Sequence, residues 1–478
     1  MTNKISTADA PALTGAEALE IESRSIDFIP PHERRGNVKD LLSLWFGANT
    51  MAITLVTGAI AGTTGLGLVW CAVAIVIGAI IGTAFMAYHS AQGPKLGLPQ
   101  MIQSRAQFGF YGANIPMVIV VAMYLGFYAG GAVIGAQALG LLFGMSTPAA
   151  VGLLSVLSLV LVLFGYKMMH VIARVLTPAY VVVFSLVTIS LVTNWGSFPT
   201  SSAVPFTAFS TTPFMLIMSI IAAYYITYGP YVADYSRYLP AETSTKSAFW
   251  YTFGGTIVSA IWIMVLGAAI QTAFGGVDAI TATANVAGSM GPWLKLLTLF
   301  TLVAGLANIG AFNIYGAMMS TLTIVTTLNQ RLKPGRWTRA FFLTAICLAG
   351  GSLAGAASQD FVHAYENFIF FLVTFLIPWS AVNLVDYYYI RKGQYVAEDL
   401  FRPDGQYGAF NGIGLGTYIF GCVCQVPFIS QGFYTGALAE QVGFDVAWIV
   451  GLIVPGLAYY LLAEKKVAVG APEFLGKV

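Results

Sequence analysis

Long apolar runs separated by short polar ones dominate the chain. A bilayer span needs about 20 mostly apolar residues. Twelve such segments occur, near residues 40–62, 68–88, 113–142, 148–165, 172–193, 213–232, 250–272, 293–320, 338–356, 366–389, 410–430 and 444–463. A helix satisfies every backbone group from within its own segment, which lipid requires. The pattern therefore predicts an all-α membrane protein with 12 transmembrane helices. Residues 1–38 are polar, carry Pro11, Pro30 and Pro31, and read as a loose N-terminal tail with no secretory signal. Residues 464–478 read as a C-terminal tail.

Charge orients the segments. With the spans as drawn, the Lys and Arg residues fall in the N-terminal tail, in the C-terminal tail and in the loops after segments two, four, six, eight and ten. Lys295 alone falls on the other side. That is the positive-inside bias, and one missed span would scramble it. It predicts both termini in the cytoplasm and a place in the plasma membrane. Composition agrees. The chain of 478 residues is 57% hydrophobic and 9% charged, against about 25% charged in soluble proteins. Its 51 glycines suit close helix packing in lipid. The net charge of +2 is spread without a nucleic-acid-binding basic patch. Cys422 and Cys424 do not have a zinc spacing.

Two segments are interrupted. The first contains Trp45-Phe46-Gly47-Ala48-Asn49-Thr50-Met51, a small-residue break beside an asparagine. The sixth ends on Tyr224-Tyr225-Ile226-Thr227-Tyr228-Gly229-Pro230, where proline removes an amide donor and clashes with the preceding turn. Broken helices five spans apart point to a binding site between two inverted five-helix repeats, near the membrane midplane. Gly47 to Met51 is expected to form one wall of it.

Polar groups inside lipid are costly and are paired or functional. Segment eight carries Asn308 and Asn313, about 140° apart around a helix. Two amides suit the edge of a nucleobase; hydrogen bonding between helices is the plainer alternative. Tyr124 and Tyr128 in segment three, with Tyr224 and Tyr225 in segment six, suit stacking on a flat ring, although ordinary packing also explains aromatics. Asp40, His89, Asp234, Glu366 and Asp386 all fall near segment ends, so no carboxylate relay crosses the membrane. A membrane-embedded enzyme is disfavoured: His32, His89, His170 and His363 lie in loops or near ends, and no HExxH or GxSxG occurs. A channel needs a continuous polar path, which paired breaks do not suggest.

From about residue 25 onward the chain resembles the nucleobase–cation symporter family of cytosine permease, purine permeases and the hydantoin transporter. The resemblance rests on Gly93-Pro94-Lys95-Leu96-Gly97-Leu98-Pro99-Gln100 through Gly112, on Tyr231-Val232-Ala233-Asp234-Tyr235-Ser236-Arg237-Tyr238-Leu239-Pro240, and on Asn308 and Asn313 at their spacing of five. It implies a leucine-transporter-like 5+5 inverted repeat, with repeats at 39–193 and 194–390 and two additional helices at 391–463. It implies import of cytosine or a purine with sodium or a proton, or of allantoin, a hydantoin, uracil, a nucleoside or a thiamine-precursor pyrimidine. No cofactor is implied beyond a transported Na+. By position, Gly47, Thr50, Ala304, Ala307 and Asn308 would hold that ion. Asn313 would bond the ring, Tyr225 and either Tyr124 or Tyr128 would stack on it, and Met51, Thr227, Tyr224 and Asn49 would line the cavity. Hydantoin-type members have serine and threonine where this chain has Ala307 and Asn308, and tryptophan where it has Tyr124 and Tyr225. The first difference weakens the sodium expectation; the second favours purines or cytosine.

Overall fold

The computed structural model describes residues 28–469 except 202, 333, 432 and 433; most of the N-terminal tail and residues 470–478 lie outside the described residues. In chain order the main helices are α1 (Asp40–Asn49), α2 (Ala52–Thr63), α3 (Leu68–Ser90), α4 (Asn114–Phe143), α5 (Thr147–Leu163), α6 (Tyr166–Thr193), α7 (Thr211–Ile226), α8 (Gly229–Ser236), α9 (Thr245–Ala273), α10 (Ala279–Gly288), α11 (Pro292–Leu328), α12 (Arg336–Ala357), α13 (Phe361–Val385), α14 (Gly412–Gln425) and α15 (Ala447–Val469). Among the described residues, eight helical spans are long and apolar enough to cross a membrane unbroken. The pairs α1–α2 and α7–α8 are each bent at a break, by 55° and 40°, and α5 and α14 are shorter apolar helices. Eight, two and two account for the twelve apolar segments. The extra helix α10 has ten residues, too few to span. The Asp278 side chain caps it by accepting from the amides of Ile280 (3.0 Å) and Thr281 (2.9 Å).

The ends of the bundle sort as the charge pattern demands. At one end the Lys- and Arg-bearing loops meet. The Gly36 amide donates to the Tyr238 carbonyl (3.1 Å), and the Phe110 amide to that of Gly408 (2.9 Å). Arg105 donates to the Leu400 carbonyl (3.0 Å) and to Thr327 Oγ1 (2.8 Å). At the other end the Gly67 amide donates to the Ala208 carbonyl (2.8 Å), and Thr200 Oγ1 to that of Thr272 (2.8 Å). Alternate loops therefore share an end among the described residues, which is consistent with the twelve segments.

Both broken spans are braced through glycine. A Cβ on Gly58 of α2 would run into the Met264 backbone of α9, and one on Gly267 of α9 into the Leu55 carbonyl of α2. A Cβ on Gly78 or Gly82 of α3 would meet the Met218 or Ala222 carbonyl of α7. Lipid tails are as apolar as leucine, so helices associate in a bilayer through close packing of small residues. The first span is thereby held to the seventh and the sixth to the second, while α11 runs alongside α4.

Gly267→Val is therefore expected to overpack the α2–α9 contact, at a cost of about 1–3 kcal/mol. Gly152→Val, with nothing within 4 Å of the added Cβ, is the control. Size-exclusion chromatography of detergent-extracted protein should show a severalfold loss of the monodisperse peak for the first variant and none for the second.

Candidate functional site

The break between α1 and α2 is narrower than expected: Thr50 and Met51 alone leave the helix, with φ/ψ of −82°/71° and −149°/168°. Local side chains end the helix. Asn49 Nδ2 donates to the Trp45 carbonyl (2.8 Å) and Thr50 Oγ1 to that of Phe46 (2.7 Å), so short polar groups take over the carbonyls of the last turn. In the sixth span the chain breaks at Thr227 and Tyr228, and Pro230 sits in the first turn of α8. There its missing amide costs nothing, since a helix start leaves those donors free. Each break sets a helix C-terminus against a helix N-terminus, which supplies partial charges of both signs.

A cavity of about 150 Å³ runs between α4, α8 and α11 towards the Lys- and Arg-rich end. Tyr124, Tyr231, Asp234, Ile309, Asn313 and Gly316 are among the residues lining it. Tyr124 lies over Gly316, where a Cβ would enter its ring; glycine on α11 lets that ring sit flat against the helix. Tyr224, Tyr228, Tyr231 and Tyr235 form one stripe along α7 and α8. Their rings touch in sequence at 5.3, 5.2 and 6.4 Å, and the Trp45 ring of α1 meets Tyr235 at 5.5 Å.

Of the residues expected to bind a ring, the structure brings Asn313 and Tyr124 to this cavity. Tyr128 points elsewhere: its hydroxyl donates to Ser155 (2.8 Å) on α5 and contacts Cys347 (3.4 Å) on α12. Tyr225 is fully buried, with its hydroxyl on Met264 of α9 (3.8 Å) and its Cβ against Gly82 of α3. Tyr224 bonds Tyr228 (2.8 Å) and approaches Thr54 of α2 (3.4 Å), bridging the two broken spans. Thr227 turns its hydroxyl to the Tyr224 carbonyl (2.7 Å). Met51 is half-buried at the start of α2, and Asn49 is buried.

Of the residues expected to hold a cation, Gly47 packs against Thr177 of α6, Thr50 is buried and Ala304 is exposed. The Ala307 carbonyl accepts from Ser158 of α5 (3.0 Å). Asn308 Oδ1, Asn49 Oδ1 and the Trp45 indole nitrogen are buried without a protein partner. Such groups are rare and call for a ligand or water. Among the described residues no cluster of three or more His, Cys, Asp or Glu is placed to bind a metal.

Sequence reasoning missed the frame around the cavity. The loop between α3 and α4 carries Gln92, Gln100 and Gln107, all buried. Gln100 donates from its backbone to Asp234 Oδ1 (2.7 Å) on the cavity wall and from its side chain to Gln92 (2.7 Å). Gln92 donates to Asn383 (2.8 Å) on α13, and Gln107 to Asp386 (2.6 Å). Asp386 is fully buried; it also accepts from Tyr395 (2.6 Å) and Tyr459 (2.8 Å) and pairs with Arg391 at 3.2 Å. His89 bonds Ser380 (2.8 Å) and stacks on Trp379 at 5.1 Å, and both rings lie against Gly229, the first residue of α8. The repeated glutamines of the loop were the available signal. Their partners lie on distant segments, which spacing along the chain does not reveal. Removing one member of a buried ion pair costs about 3–5 kcal/mol. Asp386→Ala should accordingly lower the thermal unfolding midpoint of purified protein by several degrees, and Asp386→Asn by less.

Residues 28–451 match the family model described as permease for cytosine/purines, uracil, thiamine, allantoin. A Bacillus subtilis protein, YxlA, which carries the name of a purine-cytosine permease, is 39% identical over 449 residues, 94% of this chain and 97% of its own. The purine-cytosine permease fcyB of Emericella nidulans is 26% identical over 472 residues, 94% and 89% of the two chains. Among solved structures, Mhp1, a nucleobase-cation-symport-1 family transporter in a closed conformation with bromovinylhydantoin bound, superposes with a TM-score of 0.74 at 18% identity. That match covers 95% of this chain and 97% of that one. The fold is thus the leucine-transporter-like helical bundle that the sequence resemblance implied, and the relatives are permeases rather than enzymes. With nine-tenths of its length shared with YxlA and its spans matched by one family model, the chain belongs to the family of permeases for cytosine and purines, uracil, thiamine and allantoin.

Proposed function

We propose that the protein is a secondary active importer of a nucleobase, cytosine or a purine, which it carries with sodium or a proton by alternating access. The observation that carries this reading is the cavity ending at Asn313 and Tyr124 beside a broken helix. Asn313 is 9% exposed, so its amide is sheltered from bulk water. A base lacking the matching edge would leave that amide unpaired, at about 1–3 kcal/mol. Tyr124 offers a flat face beside it.

The repeats run from 39 to 193 and from 194 to 390, followed by two further helices at 391–463. The exchanged packing supports this division: the first span rests on the seventh and the sixth on the second, as two inverted copies would. The Lys- and Arg-rich end faces the cytoplasm of a plasma-membrane protein, with both termini there, so the cavity opens inward. The cation lies near Gly47, Thr50, Ala304, Ala307 and Asn308. The buried, unpartnered Asn308 Oδ1 supports an oxygen ligand at that level, where hard cations take carbonyl and amide oxygens. The family's span of uracil, thiamine and allantoin keeps other heterocycles in view as cargo.

Uptake of labelled cytosine, adenine, uracil and allantoin, measured with sodium, without sodium and with an uncoupler, identifies cargo and coupling ion together. Cytosine or adenine should enter, and one of the two ion treatments should abolish entry. Asn313→Ala should reduce uptake to background with unchanged protein in the membrane. Normal uptake by that variant would remove Asn313 from the site, and uptake indifferent to both gradients would indicate a passive pore.

A further inference from the structure

We propose that Tyr231 is the second ring-contacting residue of the cavity and that it closes on the substrate from α8 opposite Tyr124. The proposal rests on the transport reading above and gives Tyr231 a ring-binding role that the family resemblance did not imply. Both rings line the same cavity as Asn313. Their centroids stand 5.9 Å apart with planes inclined by 33°, so the two rings touch where α4 and α8 meet at the cavity wall. Tyr231 is partly exposed, which leaves a face for a ligand. Tyr225, expected in this role, has its ring buried between α3 and α9 and does not border the cavity.

The spacing defines how the pair works. A flat ring held between two others needs about 3.5 Å on each side, roughly 7 Å between the outer rings. The two tyrosines, tilted and in ring contact at 5.9 Å between centroids, must therefore part to admit one. Tyr124 is the fixed jaw, because Gly316 lets its ring rest on α11. Tyr231 is the moving jaw. It sits in the first turn of α8, an eight-residue helix joined to α7 through the break at Thr227 and Tyr228. A small rotation of so short a helix about that break moves Tyr231 without disturbing α7. The cargo this selects is a planar, uncharged heterocycle with an amide-like edge for Asn313; a saturated or bulky ring would not fit between the jaws.

The test is equilibrium binding of labelled cytosine, adenine, uracil and allantoin to the purified full-length chain in detergent. Tyr231→Ala should raise the Kd of the bound base by about 5- to 150-fold, the range for losing one aromatic stacking face. Tyr231→Phe, which keeps the face and drops the hydroxyl, should stay within about threefold. Should Tyr231→Ala fold poorly, Tyr231→Cys in a chain whose four native cysteines are serine gives a second measurement. Bound base should slow its alkylation by maleimide. Unchanged affinity in a monodisperse Tyr231→Ala protein, or alkylation indifferent to base, would overturn the role of Tyr231 while leaving the transport reading standing. A wild-type chain that binds none of the four compounds would overturn both.

Discussion

The structure depends on one constraint. Backbone amides and carbonyls cannot be left bare in lipid, yet this chain opens two helices inside its bundle. The breaks at Thr50–Met51 and at Thr227–Tyr228 are tolerable because they are packed in protein rather than set against hydrocarbon. Side chains take part of the load: Asn49, Thr50 and Thr227 all turn back onto carbonyls of their own last turn.

Two kinds of contact hold the breaks in place, and they differ in physical character. The halves α2 and α7 are fixed by glycine-lined packing against α9 and α3, which brings backbone almost onto backbone. The half α8 adds polar contacts to close packing, since a Cβ on Gly93 would also meet Ser236 and the Arg237 backbone at its end. Asp234 accepts from the loop amide of Gln100, and His89 and Trp379 press on Gly229. Close packing is stiff, because overpacked or underfilled cores are penalised at once. A hydrogen-bonded frame of glutamines can exchange partners at less cost.

The chemistry of the site follows from a wall that is mostly aromatic and amide, with Asp234 and Arg237 towards its Lys- and Arg-rich end. Asn313 and the tyrosines present amide, hydroxyl and ring faces, and Asp234 is already tied to the loop through its Oδ1. An uncharged heterocycle bound at Asn313 and Tyr124 avoids the cost of burying an ion, and aromatic faces supply affinity that tolerates differences between rings. That tolerance fits a family whose description spans cytosine, purines, uracil, thiamine and allantoin.

Much of this was legible in the chain itself. The twelve apolar segments, their alternation in charge and the two interruptions depend on local composition, because a bilayer reads each segment by length and hydropathy alone. Asn313 and Tyr124 were also visible as polar and aromatic residues in the middle of spans. Other features belonged to the folded state. Which face of a helix meets the cavity depends on its rotation against its neighbours, so Tyr128, about one turn from Tyr124, and Tyr225, within two turns of Tyr231, went to α5 and α12 or to α3 and α9 instead. The glutamine frame joins residues almost 300 positions apart, as Gln92 and Asn383 are. Sequence determined where the chain enters lipid and where its helices give way; only tertiary packing decided which side chains meet at those openings, because that choice is made by the neighbours across each contact and not by the segment itself.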